Sequence, residues 1–312
     1  MKPDDSRLAE KLFQKDHMIG CYWDTVSRWM VMRATRDAEA LREPLFIVQA
    51  ADASSPSMPA EAAAKLMTKA NPKNTGGLHG LLPVHRGMRI RLLEALDLAH
   101  GLVKDTEGRL VDIVVNPLDQ EAVGTALANG HSQIYLRHLP FGFWVRIEKY
   151  TAAPFKTILE AHDASLTGAS TESLVFIETR TSEPFEFRDK KINYRVTRTG
   201  FPFSYGRVIT TTACQGRTMR DGVVLDCGRR TAGRGRKEDD DYWLELYVML
   251  SRATRIEDLL LMRAPPCDFL LRGPPLGLRQ QLQKFANRTE ECRREARALI
   301  TELGFDDLLH PK

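Results

Sequence analysis

The side chains best suited to chemistry in this chain fall in two short stretches. Thr210 to Thr218 reads T-T-T-A-C-Q-G-R-T, and Leu246 to Thr254 reads L-Y-V-M-L-S-R-A-T. The hydroxyls of Thr210 and Thr212 can donate to phosphate oxygens. Gln215 carries an amide, and Gly216 allows either a sharp turn or a close approach of the backbone to a phosphate. Arg252 brings a permanently charged guanidinium whose planar fork reaches two phosphate oxygens together. The plainer reading of an arginine near a helix end is an ion pair with a surface carboxylate. The chemistry that these residue types share is the handling of phosphate.

Such groups need a scaffold, and the flanking sequence supplies one. Val208-Ile209 is a short β-branched run, and Gln215-Gly216 follows where the chain must turn. Val223-Val224-Leu225 forms a second apolar strand ending in Asp226. Leu246 to Ala253 is apolar on one side, as in a helix, with Ser251-Arg252 near its end. Leu259 to Met262 is a third apolar run. Strand, turn and helix in alternation predict a parallel sheet that presents groups at strand ends. Residues 45–50, 208–213, 222–226 and 258–263 are expected to be strands of one mainly parallel sheet.

These stretches resemble motifs V and VI of superfamily 1B helicases, closest to the petite-integration-frequency type related to the RecD helicases. Members of that family read T-I-H-K-S-Q-G-Q-T and then Y-V-A-L-S-R-A. Val196-Thr197-Arg198 and Phe201-Pro202 resemble the lead-in V-x-R-x-Q-F-P-L. Three ordered motifs at suitable spacing are more specific than any one of them. The resemblance implies that Arg252 is an arginine finger, and that Gln215 and Gly216 contact nucleotide. It also implies that Thr210, Thr212 and Thr218 contact nucleic acid. Two positions depart from the pattern: the family's His and Lys in motif V are Thr212 and Ala213, and the small residue before L-S-R is Met249.

Composition sets wider bounds. At 312 residues and 43% hydrophobic content, the chain can bury a sizeable core and is expected to hold two domains. A formal charge of +4 permits nucleic-acid binding without demanding it. The five cysteines include no C-x-x-C pair, which suits a reducing compartment without a disulfide framework or structural zinc. No apolar run reaches membrane-spanning length, and Met1 to Lys15 is charged rather than signal-like. A soluble, intracellular protein is expected.

Upstream, residues 4–16 read as an exposed helix. Trp23 to Leu41 places Trp23, Val26, Met30 and Ala34 at amphipathic spacing. Arg33 and Arg36 on that helix face either a ligand or, more simply, solvent. Leu45 to Val48 reads as a strand ended by Ala-Asp-Ala-Ser-Ser-Pro, and Ala60 to Ala70 as a short helix in a loop region. Met88, Ile90 and Leu92 alternate with Arg89, Arg91 and Leu93, and Asp105 to Gly108 supplies turn chemistry before a Leu110–Val115 strand. This part resembles the family's L-x-V-G-x-x-V-M-L segment and G-L-V-N-G hairpin, with Lys104-Asp105 in place of Asn-Gly.

Gln133 to Leu136, Phe143 to Ile147, Leu174 to Ile177 and Lys191 to Val196 read as short strands, which suggests a small inserted β-barrel. In the family such an insertion guides single-stranded DNA, for which Trp144, Phe141 and Phe143 are candidate stacking platforms; their alternative place is the barrel core. The tract Arg229-Arg230, Arg234 and Arg236-Lys237 could meet phosphates, but Glu238 to Asp241 nearly cancels it, leaving a solvated loop. In the tail, Leu278, Leu282, Phe285, Thr289, Cys292, Ala296, Leu299 and Leu303 alternate by fours and threes, with Gly304 as a C-cap. That helix either zips to a partner helix or docks on its own domain.

The fold expected is α/β: a RecA-like second motor domain with a mainly parallel sheet, an inserted β-barrel and a C-terminal helix. The corresponding ranges are 1–100 and 195–265 for the motor domain, 101–194 for the barrel-like module, and 266–312 for a Pro-rich linker and helix. No G-x-x-x-x-G-K-[ST] loop occurs in the chain, so ATP and Mg2+ are expected only in a complete motor and no cofactor for the isolated chain. The expected partners are single-stranded DNA and a first RecA-like motor domain, with no membrane. The chain is expected to be the C-terminal portion of an ATP-dependent DNA helicase of repair or recombination, either a fragment or a remnant. The alternative is a non-catalytic nucleic-acid-binding or scaffold protein that kept the fold.

Overall fold

The structure, a computed structural model, describes residues 14–69, 71–148, 150, 173–228 and 236–302. Its first elements are β1 (His17–Gly20), α1 (Trp23–Leu41), β2 (Leu45–Gln49), β3 (Ala51–Ser55) and α2 (Ala60–Met67). Then come β4 (Leu81–Val84), β5 (Arg89–Leu92), β6 (Glu107–Val114), α3 (Pro117–Ala128), β7 (Gln133–Leu136) and β8 (Gly142–Arg146). A strand-rich run follows: β9 (Leu174–Ile177), β10 (Arg180–Thr181), β11 (Phe185–Asp189), β12 (Ile192–Gly200), β13 (Phe203–Tyr205) and β14 (Val208–Thr210). The last elements are α4 (Thr211–Cys214), β15 (Val223–Asp226), α5 (Arg236–Leu250), β16 (Leu259–Arg263), α6 (Cys267–Arg272) and α7 (Leu276–Glu302).

The described chain forms two compact units. Residues up to Asp226, together with Met249–Met262, make the first; Cys227–Val248 and the residues from Arg263 onward make the second.

The first unit contains a mixed α/β arrangement with a four-stranded sheet of order β14-β1-β15-β16, parallel where β1 meets its two neighbours. β1 runs parallel to both flanking strands, with Met18 opposite Val208 and Val224, and Gly20 opposite Thr210 and Asp226. Met18 and Ile19 are fully buried. One face of α1, carrying Val26, Trp29, Met30, Ala34 and Ala38, is buried in the same core. The helix follows the expected bounds and its amphipathic pattern.

Three expected strands, near 208, 223 and 259, do share this sheet, but residues 45–50 do not. β2 lies in a separate sheet of order β4-β2-β7, antiparallel to β4 and parallel to β7. The reason is that a continuous apolar run suits any strand buried on both faces, so its composition does not choose the sheet. Residues 211–213 are helical rather than extended, because the strand ends at Thr210 and turns at once.

A five-stranded antiparallel sheet has the order β13-β5-β6-β8-β9, and β12 pairs with β10, β11 and β3 in another. The strands within 101–194 therefore divide among three sheets and pair with β2 and β5 from outside that range, while β12, which crosses its end, pairs with β3 through residues 195–199. No closed barrel arises from the pairings among the described residues. Residues 51–55, read as a strand end, form β3 because β12 offers it a partner. The hairpin lead-in at Asp105 does adopt the left-handed backbone (φ 68°), which aspartate tolerates in place of the family's Asn-Gly.

Two polar clusters fix these pieces. At the start of β1, Asp16 accepts from Arg89 at 2.6 Å and pairs with Arg207 at 3.2 Å and His17 at 3.1 Å. Arg207 also donates to Asp37 of α1 at 3.0 Å, and Asp37 accepts from Arg33 and from the Tyr205 hydroxyl. Arg33 is thus buried within this cluster and not on a solvated face, while Arg36 is exposed. Burial, and then the charge and hydrogen bond of Asp37, push the Tyr205 hydroxyl up, so it stays a donor. In the second cluster, the fully buried Arg198 of β12 donates to both carboxylate oxygens of Asp52 on β3, each at 2.7 Å.

The second unit is small. Tyr242 of α5 donates to the Cys227 carbonyl and meets Phe269 of α6 edge-on at 5.1 Å. Arg272 stacks over Phe269 and pairs with Asp239 at 3.0 Å. Residues 4–13, Arg229 to Arg234, Leu303 and Gly304 lie outside the described residues.

The two clusters give two stability predictions. Arg198→Met should destabilise the chain to urea by about 3 kcal/mol, because it leaves the mostly buried Asp52 unpaired; Arg198→Met with Asp52→Leu should cost less than the single change. The second concerns acid. Burial alone would raise the Asp16 carboxyl, but the His17 hydrogen bond and the charges of His17, Arg89 and Arg207 outweigh it and lower its pKa to about 2. An unfolded aspartate titrates near ~3.9. The depressed value contributes stability that is present above ~3.9 and lost as pH falls through about 2. Relative to Asp16→Asn, the wild type should be more stable at neutral pH by ~1–2 kcal/mol after allowance for solvent screening, an advantage that vanishes in urea melts at the acid end.

Candidate functional site

Parallel strands collect loops at their C-terminal ends, where open α/β sheets bind ligands. Here Gly20, Thr210 and Asp226 lie abreast at that edge, each the last residue of its strand. Thr210 is 8% exposed and points its strand into α4; the Thr211 hydroxyl donates to the Gly20 carbonyl at 3.5 Å. Thr212 is exposed. After one turn the helix stops: Gln215 is extended (φ −59°, ψ 132°) and Gly216 takes a left-handed backbone (φ 77°). Open space surrounds the position a Cβ would occupy at Gly216, so the demand for glycine comes from the backbone angle and not from crowding.

Arg252 closes this turn from a distant part of the chain. Its Nη1 donates to the carbonyl of Arg217 at 2.7 Å and that of Cys214 at 3.4 Å, and its Nη2 donates to Ser251 Oγ at 2.8 Å. The Arg252 carbonyl in turn accepts from the Met219 amide at 2.9 Å. A short helix leaves its last carbonyls without intrahelical donors, and a guanidinium there satisfies them with favourable charge. The arrangement brings Gln215, Gly216 and Arg252 together. Met249, larger than the residue the family uses, is fully buried, with its sulfur 3.9 Å from Cys21 Sγ in the loop after β1. Extra volume at that position is therefore filled by core packing.

Cys214 offers no nucleophile. Burial pushes its thiol up to about 11, against the opposing effect of Arg252 and Arg217, so the thiolate is scarce at neutral pH.

On the far side of the same turn, a cavity of about 1080 Å3 opens where β1 begins; His17, Arg89, Arg109, Arg146 and Arg217 line it. Of the three threonines, Thr210, Thr212 and Thr218, Thr218 alone lines this cavity. Carboxylates also line the cavity. Arg217 donates to Glu107 and, at 2.8 Å, to the Asp105 carbonyl, so the turn is tied to the β5–β6 connection. Sequence reasoning missed Arg217, and its place within the T-T-T-A-C-Q-G-R-T stretch was the available signal.

Trp144 is not a stacking platform. It is 1% exposed and packs on Phe176 with ring centroids 4.8 Å apart. β8 is paired on both edges, by β6 and β9, and both of its faces are buried: Phe143 turns into the main core and Trp144 into a smaller cluster with Leu174. Phe141, at the start of the strand, is half-exposed. Among the described residues, no group of His, Cys, Asp and Glu is placed to hold a metal, and no helix is long and apolar enough to cross a membrane.

No family model matches the chain, and no curated protein matches it. Among solved structures, it is similar to the Pif1 helicase from Candida albicans at 15% identity, covering 91% of this chain and 55% of that one, with a TM-score of 0.47. It is similar to the Pif1 helicase from Bacteroides in complex with ADP-AlF3 and ssDNA at 14% identity, over 87% of this chain and 45% of that one, with a TM-score of 0.45. The chain thus spans about half the length of these helicases. At this level of identity and superposition the likeness carries no argument about what this chain does.

Proposed function

We propose that this chain is the second motor half of an ATP-dependent DNA helicase, supplying an arginine finger and part of a single-stranded DNA track, and that it does not hydrolyse ATP alone. One observation carries the reading. Arg252, distant in sequence, donates to the carbonyls of Cys214 and Arg217, the two residues that flank Gln215 and Gly216, beside a parallel sheet. Arg252, Gln215 and Gly216 are the residues to which the resemblance to motifs V and VI gives the nucleotide-contacting roles. ATP hydrolysis also needs a phosphate cradle and a magnesium site, and these would come from a first RecA-like domain in cis or in trans. When a nucleotide bound there is brought against this edge, the Arg252 guanidinium would exchange carbonyl partners for phosphate oxygens, which form stronger, charge-assisted bonds.

A second reading, a non-catalytic nucleic-acid-binding or scaffold protein, gains support from Arg252 already being held by the carbonyls of Cys214 and Arg217. The absence of cations at Thr212 and Ala213 points the same way.

ATPase measurements separate the two. The isolated chain should hydrolyse ATP no faster than buffer, with or without DNA. Joined to a first motor domain carrying a Walker A loop, it should give a DNA-stimulated rate, and Arg252→Ala should lower that rate by about 10^3-fold or more. A stimulated rate indifferent to Arg252→Ala sinks the finger assignment. DNA bound with no rate in any pairing leaves the scaffold reading.

For the DNA track, the cavity arginines and Thr218 are the better candidates than Thr210, which is buried. The isolated chain should bind a labelled single-stranded oligonucleotide weakly and with marked salt dependence. Arg109→Ala with Arg146→Ala should flatten the slope of log K against log salt by about 0.7 per lost phosphate contact. Thr210→Ala should leave binding unchanged. Tight binding that ignores salt would place the DNA elsewhere.

A further inference from the structure

α7 runs 27 residues and buries none of its side chains. At about 1.5 Å per residue it is roughly 40 Å long. Its apolar residues nevertheless form one stripe: Leu282 is 51% exposed, Phe285 64% and Leu299 54%. Thr289, Cys292 and Ala296 continue the same face at alternating steps of four and three. A stripe of that period is the seam of a two-helix coiled coil, in which side chains of one helix enter holes on the other. An isolated helix with such a face exposed is marginal in water.

We infer that α7 pairs antiparallel with α7 of a second copy of this chain. Two features choose that occupant and that direction. The first is volume. With the copies antiparallel and Thr289 set against Cys292 of the second copy, Phe285 faces its Ala296 and Leu282 faces its Leu299. Each layer then matches a large residue with a small one, or two of middle size. A parallel pair in register would stack Phe285 on Phe285 and Ala296 on Ala296, overfilling one layer and emptying another.

The second feature is charge. Arg288 and Glu295 flank the stripe on the same side. In the antiparallel pair, each Arg288 lies beside Glu295 of the second copy, so two attractive pairs form. In the parallel pair, Arg288 instead approaches Arg293 of the second copy, and two repulsive pairs form. Glu290 already pairs with Arg293 within the helix at 2.9 Å, so it does not compete for Arg288. Both features thus favour the same pairing, and neither depends on the helicase reading.

Sedimentation equilibrium of the full chain tests the inference. The wild type should show a concentration-dependent species of twice the 35.3 kDa chain mass. Leu282→Glu with Phe285→Glu should leave it monomeric, with the melting temperature the wild type shows when diluted until it is monomeric, as expected for side chains buried only between copies. Arg288→Glu alone should weaken the dimer by about tenfold, the sum of two modest exposed charge pairs. Arg288→Glu with Glu295→Arg should restore it. Three results would overturn the proposal. A wild type that stays monomeric while Phe285→Glu lowers its melting temperature means that α7 docks on its own chain. A wild type that stays monomeric with no such effect means that the face has no second copy as partner. An Arg288→Glu variant that dimerises more tightly means that the helices run parallel.

Discussion

β14 and β15 are near neighbours in sequence yet do not touch; the space between them is filled by β1, from the far end of the chain. The parallel sheet exists only if that strand arrives. Joining segments so far apart carries a loop-closure cost, but the cost grows only with the logarithm of the loop length. The return is the full burial of Met18 and Ile19 and two ladders of hydrogen bonds. A four-residue strand has little else to hold it, and the Asp16 cluster supplies the rest. It ties the start of β1 to β5, to α1 and to the residue just before β14. These tethers hold the start of β1 beside the start of β14, at the opposite end of the strands from Gly20 and Thr210.

With the edge fixed, the turn after it is set by two arginines pulling in different directions. Arg252 holds the carbonyl side of the turn, and Arg217 holds it to Glu107 and the Asp105 carbonyl. A four-residue helix ending in a left-handed glycine has little stability of its own. Its geometry is thus borrowed from side chains on other elements. This is a suitable design for a site whose parts must change partners, because the contacts most easily exchanged are the ones that define the shape.

Some of this was legible in the sequence and some was not, for physical reasons. α1 announced itself because nineteen residues repeat the helical period. Val208-Ile209, Val223 to Leu225 and Leu259 to Met262 were legible as strands because each is apolar and bounded by turns. β1 was missed: His-Met-Ile-Gly is too short for a period, and a charged stretch beside it read as helix. β3 was missed because its alternating, half-exposed face is polar, and only β12 makes it a strand. The assignment of 45–50 to the parallel sheet failed because composition reports burial, not neighbours. The bonds from Arg252 to the carbonyls on either side of Gln215 and Gly216 were not legible, since nothing in the local sequence of either stretch says that they meet. Trp144 was misjudged because both faces of β8 are covered, by the main core and by a smaller cluster, and a single sequence does not reveal whether the second face of a strand is covered.

The placement of Thr218 apart from Thr212 bears on how the two ends of this unit would communicate. Thr212 sits where the strands finish, and Thr218 lines the basic cavity where β1 begins. The five residues between them contain Gln215, Gly216 and Arg217. If Arg252 leaves the carbonyls of Cys214 and Arg217 for a phosphate, the carbonyl of Arg217 loses its donor while its own side chain stays bound to Glu107. Gly216, the residue of this turn with a positive φ, is where the backbone can rotate with the smallest penalty. That rotation would move Thr218 relative to the cavity arginines. On the proposed reading, this short segment is the route by which an event at one end of the sheet would reach the surface that holds the strand.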